Sequence, residues 1–174
     1  MNNKTLIVNL FGGPSAGKST LASGIFFDLK MQGINSELVS EYCKELTWEE
    51  RHNTLKDQIY IFGQQFHRIF RLLGKVDVII TDSPLLLTPV YDIEKRESLK
   101  KLAFEEHKKL WTYNVVIKRN KSYNPKGRSQ TESEANELDK QIVDMLFEAN
   151  ECFETFNGDT EGKDLIVKKI LKLL

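Results

Sequence analysis

Cysteine is scarce in this 174-residue chain, where Cys43 and Cys152 are the two present. Two thiols supply neither a disulfide framework nor a metal cluster, and they read as reduced cysteines of a cytoplasmic protein. Proline is also sparse, with 4 residues. Together with 40% apolar and 29% charged residues, this excludes collagen, low-complexity and wholly disordered chains. A net charge of either sign is missing, since 25 Lys and Arg balance 25 Asp and Glu. The molecule as a whole is no electrostatic glue for nucleic acid, although a local basic patch stays open. Long hydrophobic runs are missing as well. The run Leu6–Phe11 is too short for a signal peptide or a membrane span, and no later segment approaches about 18 apolar residues, so no membrane partner is expected. With no repeat and no biased linker, residues 1–174 are expected to form a single domain.

What is there alternates. Leu6–Phe11 followed by Gly-Gly-Pro reads as a buried strand entering a tight loop. Helical spacing follows over 19–32 through Leu21, Ala22, Ile25 and Leu29, and Gly33 supplies a stop. Further strands are expected at 36–40, 76–81, 114–117 and 153–156. Between them lies a helix over 54–73 with Leu55, Ile59, Phe62, Phe66, Ile69 and Leu73 on one face, and another over 95–110. Thr131 and Glu134 have capping-box spacing ahead of Leu138, Ile142, Met145 and Ala149, and a Lys-rich amphipathic helix closes the chain. Strand–helix alternation predicts an α/β domain with a mostly parallel sheet and helices on both faces. Ligands of such folds sit beyond the carboxyl ends of the strands, so the residues that follow each strand are the candidates.

Gly12-Gly13-Pro14-Ser15-Ala16-Gly17-Lys18-Ser19 fits G-x-x-x-x-G-K-[ST] and stands between a strand and a helix. Glycines let backbone N–H groups turn inward around phosphate oxygens, and the helix that starts near Lys18 aims its positive end at them. The loop from Gly12 to Thr20 is thus expected to hold a nucleotide, with Lys18 on the β- and γ-phosphates and Ser19 on Mg²⁺. The bland alternative is a Gly-rich strand–helix turn with no ligand. The loop by itself does not separate a kinase from an ATPase or GTPase.

Two carboxylates stand at strand ends. Asp82 closes the third strand and is expected to hold Mg²⁺ directly or through water, and to be the fallback catalytic base behind Glu41, with a turn or helix-cap Asp as the alternative. Glu41 closes the second strand, where a carboxylate can take the proton from an attacking hydroxyl. The alternative there is a capping or surface Glu among Glu45, Glu49 and Glu50. From Lys118 to Arg128 the chain carries five basic residues and no acidic one, in a Pro-, Gly- and Asn-bearing stretch that reads as a lid over about 119–131. Arg119 and Arg128 would stabilise charge on a transferring phosphoryl group. A solvated loop or a weak nucleic-acid patch is the other reading. On the helix over 54–73, Gln58 and Gln65 border the apolar face, where an amide can read a base edge or a sugar hydroxyl, or be a partly exposed flank. Trp48, Tyr42 and Tyr60 are more simply core aromatics than base-stacking groups.

Taken in order, Phe-Gly-Gly-Pro-Ser-Ala-Gly-Lys-Ser-Thr, Ser-Glu-Tyr-Cys-Lys-Glu, Ile-Ile-Thr-Asp-Ser-Pro and Tyr-Asn-Pro-Lys-Gly-Arg-Ser-Gln-Thr-Glu-Ser-Glu-Ala resemble the small phosphate-loop nucleoside and nucleotide kinases. The resemblance is to their AAA-type group, which includes the ribosylnicotinamide kinase domain and many bacteriophage nucleotide-kinase-like proteins, and it covers nearly the whole chain. It implies a five-stranded parallel sheet, ATP and Mg²⁺, and a small nucleoside or nucleotide acceptor. It also implies a base at Glu41 and lid arginines at Arg119 and Arg128. Asp82-Ser83 departs from the Glu-Arg that many deoxynucleoside kinases carry at that place, so acceptor identity does not transfer. Two rivals remain at this stage. One is a kinase acting on DNA or a hydroxymethylated base within it. The other is a nucleotide-binding regulatory ATPase, although Asn120-Lys121-Ser122-Tyr123 does not complete a guanine-reading Asn-Lys-x-Asp. The oligomeric state, a homodimer among the options, stays open, and the compartment would be a host cytoplasm if the chain is phage-encoded.

Overall fold

A computed structural model of the chain describes residues 4–119 and 132–174. Five strands, β1 (Leu6–Phe11), β2 (Ser36–Val39), β3 (Val78–Thr81), β4 (Trp111–Lys118) and β5 (Glu154–Asn157), form one sheet in the order β2-β3-β1-β4-β5. Every neighbouring pair is parallel. β1 is central and buried along its whole length, which explains its near-continuous apolar sequence. Side chains alternate across the sheet. Leu6, Val8 and Leu10 pack on Leu21, Ala22, Ile25 and Leu29 of α1 (Lys18–Met31) and on Ile166, Val167 and Ile170 of α8 (Thr160–Leu173). On the other face Ile7 meets Phe62 and Ile69 of α4 (Gln58–Phe70) and Leu99 and Ala103 of α6 (Glu97–His107). There Phe11 meets Ile142, Met145 and Leu146 of α7 (Glu132–Glu148). The expected three-layer α/β fold is the observed one, and no helix among the described residues is long and apolar enough to cross a membrane.

Several expected boundaries shift for identifiable reasons. The helix expected over 54–73 is two helices, α3 (His52–Leu55) and α4, because the Asp57 side chain accepts the Tyr60 N–H at 3.1 Å and caps a new start. α4 is also rotated from the expected face. Gln58, Ile61, Phe62, Gln65 and Ile69 are its buried residues, while Ile59 is 58% exposed. The apolar residues of this segment cover a wide arc, so spacing alone does not choose the face; the buried hydrogen bonds of Gln65 do. β3 starts later than expected, at Val78. β4 starts earlier, because Trp111, Thr112 and Tyr113 pair with Leu6, Ile7 and Val8 despite their polar character.

One polar line crosses the lower core. Asn9 donates from Nδ2 to Asn114 Oδ1 at 2.9 Å. Asn114 spends both its amide hydrogens, on Glu151 Oε2 at 2.9 Å and on the Cys152 carbonyl at 3.3 Å. The buried His107 places Nε2 3.2 Å from the same Glu151 oxygen, without the alignment of a hydrogen bond. Burial holds the His107 imidazole below its usual pKa, and Glu151 opposes this only in part. The unfolded chain takes up a proton at His107 near pH ~6.5, the folded chain only at lower pH. This contribution to stability is therefore intact above that value and is lost as pH falls through the folded pKa. Denaturant midpoints measured from pH 7 down to 5.5 are expected to fall, and His107→Gln is expected to flatten that slope. An unchanged slope in the variant would show that other groups set the pH dependence.

Candidate functional site: a phosphate loop with two strand-end carboxylates

The loop between β1 and α1 lies at the carboxyl end of the central strand. Gly17 caps α1 with φ 93°, a left-handed conformation that suits glycine and turns the first amides of the helix toward the hollow of the loop. Ser15 takes φ 66° without being glycine, a local strain of the sort that gathers at functional loops. The Ala16 N–H closes a tight turn on the Gly13 carbonyl at 3.3 Å. The Lys18 ammonium donates to the carbonyls of Gly12 and Gly13 at 2.7 and 3.2 Å, so the cation is folded back across the loop. Pro14, Ser15, Gly17, Lys18 and Ser19 are half-buried, while Thr20 is exposed.

β3 lies directly beside β1, so Asp82, which follows β3, stands next to the loop with no strand between them. Its side chain is buried, at 4% exposure, and Oδ1 has no hydrogen-bond partner among the described residues. An isolated carboxylate oxygen is costly to bury, and a cation with its water shell would satisfy it. Mg²⁺ suits such a place, because it takes one or two carboxylates plus substrate phosphates rather than an all-protein cage. No group of three metal-ligating side chains occurs among the described residues, in line with that mode. Ser19 and Asp82 are the residues that would hold the ion. It would supply neutralisation of phosphate charge.

Glu41 caps α2 (Tyr42–Trp48) through its backbone, with no hydrogen bond from its side chain to the helix amides, and it is half-buried. Its carboxylate sets the local field. The Cys43 thiol is pushed up to about 12, first by burial and then by Glu41, so it is no nucleophile. The phenol of Tyr91, at the end of α5 (Thr88–Tyr91), is held well above its ordinary pKa, first by burial and then by Glu41, Cys43 and Asp139. Tyr91 is therefore a neutral hydroxyl within electrostatic reach of Glu41 and Asp139.

Gln58 and Gln65, the expected acceptor readers, have their amides turned to the protein. Gln65 accepts the Tyr42 N–H at 3.3 Å and donates to Thr81 Oγ1 at 3.4 Å. Gln58 donates to the Leu55 carbonyl at 3.0 Å. Gln65 thus fixes the start of α2, and with it Glu41, against β3. Arg68 secures the same helix with two hydrogen bonds of 2.9 Å to Glu45 and lies 4.8 Å over the Tyr42 ring.

Arg119 directly follows β4. Its guanidinium donates to Asn136 Oδ1 at 2.8 Å and to Asp139 Oδ2 at 2.9 Å, both on α7. Asp139 Oδ1 in turn accepts the Gly13 N–H at 2.5 Å. Arg128 and the rest of the expected lid lie outside the described residues. The residues at the loop and Arg119 that the sequence did not disclose are Asp139 and Asn136. Both sit in an unremarkable helical stretch, and only the packing of α7 onto the strand ends brings them in. A hollow of about 510 Å³ lined by Lys4, Ile34, Asp77, Trp111 and Leu174 lies at the opposite, amino-terminal edge of the sheet and has none of this chemistry.

This sheet order and loop define a phosphate-loop nucleotide-binding protein. More particularly, the chain belongs to the AAA domain family, whose model matches residues 7–163. No curated protein matches the chain.

The orphaned oxygen of Asp82 generates a prediction. Asp82→Asn removes a buried charge and is expected to raise the metal-free Tm by roughly 2–4 °C, the shift for about 1 kcal/mol at this size. The same variant is expected to lose the extra stabilisation that wild type gains from Mg²⁺ with ADP over ADP alone. Thermal melts in EDTA and in Mg²⁺ read both effects, and a variant that still gains as much from Mg²⁺ would remove Asp82 as a metal partner.

Proposed function

We propose that the protein is an ATP-dependent phosphotransferase that moves the γ-phosphoryl group of Mg·ATP to a hydroxyl of a nucleoside or nucleoside monophosphate. The observation that carries this reading is the pair of carboxylates at the ends of adjacent strands. Val39 of β2 pairs with Thr81 of β3, so Asp82 lies one residue and Glu41 two residues beyond the paired ends. Asp82 is the nearer of the two to the loop. Glu41 is one strand further out, at the start of α2, where it would face an acceptor rather than the donor phosphates. In this reading the loop amides and Lys18 hold the donor phosphates. The acceptor oxygen forms a bond to the γ-phosphorus, the bond to the β–γ bridging oxygen breaks, and ADP leaves. Glu41 takes the acceptor's proton. Arg119, with Arg128 from the basic segment, balances charge on the moving group. Most of the rate enhancement then comes from positioning and fixed charge.

A polymer acceptor such as DNA has one observation on its side. Trp48 at the end of α2 is 76% exposed and Tyr60 is partly exposed beside Tyr42, which gives this side of the fold aromatic surface for base stacking.

ADP release measured against nucleosides, nucleoside monophosphates, nicotinamide riboside and DNA tests both. Acceptor-dependent release with a small nucleoside or nucleotide is the expected result. Release only with DNA transfers the reading to the polymer, and release indifferent to every acceptor overturns phosphotransfer. In the same assay Glu41→Gln is expected to lower turnover by roughly 10²–10⁴ while still binding Mg·ATP, the share of a general base. Full activity of Glu41→Gln with every acceptor would remove Glu41 from the chemistry.

A further inference from the structure

The loops that follow β1 and β4 are joined by a single side chain. Asp139 uses Oδ1 for the Gly13 N–H of the phosphate loop at 2.5 Å and Oδ2 for the Arg119 guanidinium at 2.9 Å. Neither bond is a casual surface contact. A methyl group on Gly13 would come within 2.8 Å of both the Ala135 carbonyl and Asp139 Oδ1, so α7 is seated directly on bare loop backbone. The Arg119 side chain is only 9% exposed and that of Asp139 34%, so this ion pair is partly withdrawn from water and the guanidinium cannot wander freely. Asn136, one turn earlier on α7, holds the other arm of the same guanidinium at 2.8 Å.

The geometry points to Asp139 as the positioning residue that makes the phosphate loop and Arg119 one unit, so that the place of the arginine is set by the same carboxylate that sets the loop. A loop that shifts around a triphosphate must carry Asp139 with it or break a short charge-assisted bond. Either way the change is felt at Arg119. The inference rests on the phosphotransfer reading for what Arg119 does during turnover, but its nucleotide-binding arm does not.

The test uses the full chain with Asp139→Asn, Asp139→Ala, Arg119→Ala and the double variant Arg119→Ala/Asp139→Asn. Turnover and the Kd of a fluorescent ATP analogue are read for each. The amide of Asp139→Asn still offers an oxygen to Gly13 but loses the charge that holds Arg119. Its kcat is expected to fall about tenfold or more, with Kd changed by less than about threefold. Asp139→Ala also strips the loop of its acceptor and is expected to raise Kd several-fold. In the Arg119→Ala background, Asp139→Asn is expected to cost nothing further in kcat, because it acts through the arginine. Wild-type kcat in Asp139→Asn, or losses that multiply in the double variant, would overturn the assignment. The near-isosteric Asn variant keeps the cycle readable should the Ala variant melt below the assay temperature. Should the wild type release ADP with no acceptor dependence, phosphotransfer falls. The same cycle is then read on basal ATP hydrolysis, where the two Asp139 outcomes remain distinct.

Discussion

Bare backbone on two sides of the phosphate loop is the constraint on which the site depends. α7 presses on Gly13, and the turn after β5 presses on Ala16, where a side chain on Gly158 would meet the Ala16 carbonyl at 2.5 Å. The Gly158 N–H in turn bonds the Lys118 carbonyl at 3.1 Å, which ties that turn to the end of β4. Three strand ends, those of β1, β4 and β5, are thereby locked around one loop. An anion-binding loop needs its amides held in place before the anion arrives, since amides that must reorganise return part of the binding energy. Here contact with neighbours adds to the hold that the loop's own Lys18 takes on the Gly12 and Gly13 carbonyls.

The polar residues inside the sheet serve the same end from below. Asn9 and Asn114 are direct partners in the register of β1 and β4, and their side chains meet. A slip of one residue between the strands would put the two side chains on opposite faces and part their amides, a penalty of about 1–3 kcal/mol for each group left buried without a partner. That bond helps select one register of β1 against β4. Register matters to function because it decides how far Asp82 and Arg119 project beyond the strands next to the phosphate loop. Gln65 does the corresponding work on the other side, joining the start of α2 to Thr81.

Much of this was legible in the sequence. Alternating periodicity gave the sheet and its helices, and the loop motif marked the binding end of β1. Asp82 could be picked out because an apolar strand ended on a charge, and the structure places it buried beside the loop. The rotation of α4 was not legible. A helix with apolar residues around a wide arc has no single preferred face until buried amides such as Gln65 find partners elsewhere in the chain. Asp139 was not legible for a related reason. Between Leu138 and Ile142 it looks like any polar residue flanking an amphipathic stripe, and its role comes from a strand end 126 positions away in sequence.

Among the described residues, Lys18 and Arg119 are engaged by protein groups before any nucleotide arrives. Lys18 bonds loop carbonyls and Arg119 bonds Asp139, while Glu41, Asp82 and Asp139 crowd the same strand ends with negative charge. A triphosphate at this loop would therefore meet Lys18 and Arg119 already bonded to the protein. It must take Lys18 from two neutral carbonyls, which yield it at small cost, and draw on Arg119 against a carboxylate, which yields it at a larger one. This ordering makes Lys18 the group that answers to binding. Under the proposed phosphotransfer it would leave Arg119 for the stage at which charge on the phosphoryl group is greatest and competition with Asp139 can be won. Asp82 carries an oxygen that no donor among the described residues reaches, and a cation arriving with a nucleotide would satisfy it. On the proposed reading, the acidic strand ends and the phosphate loop are two halves of one electrostatic arrangement that Mg·nucleotide would complete.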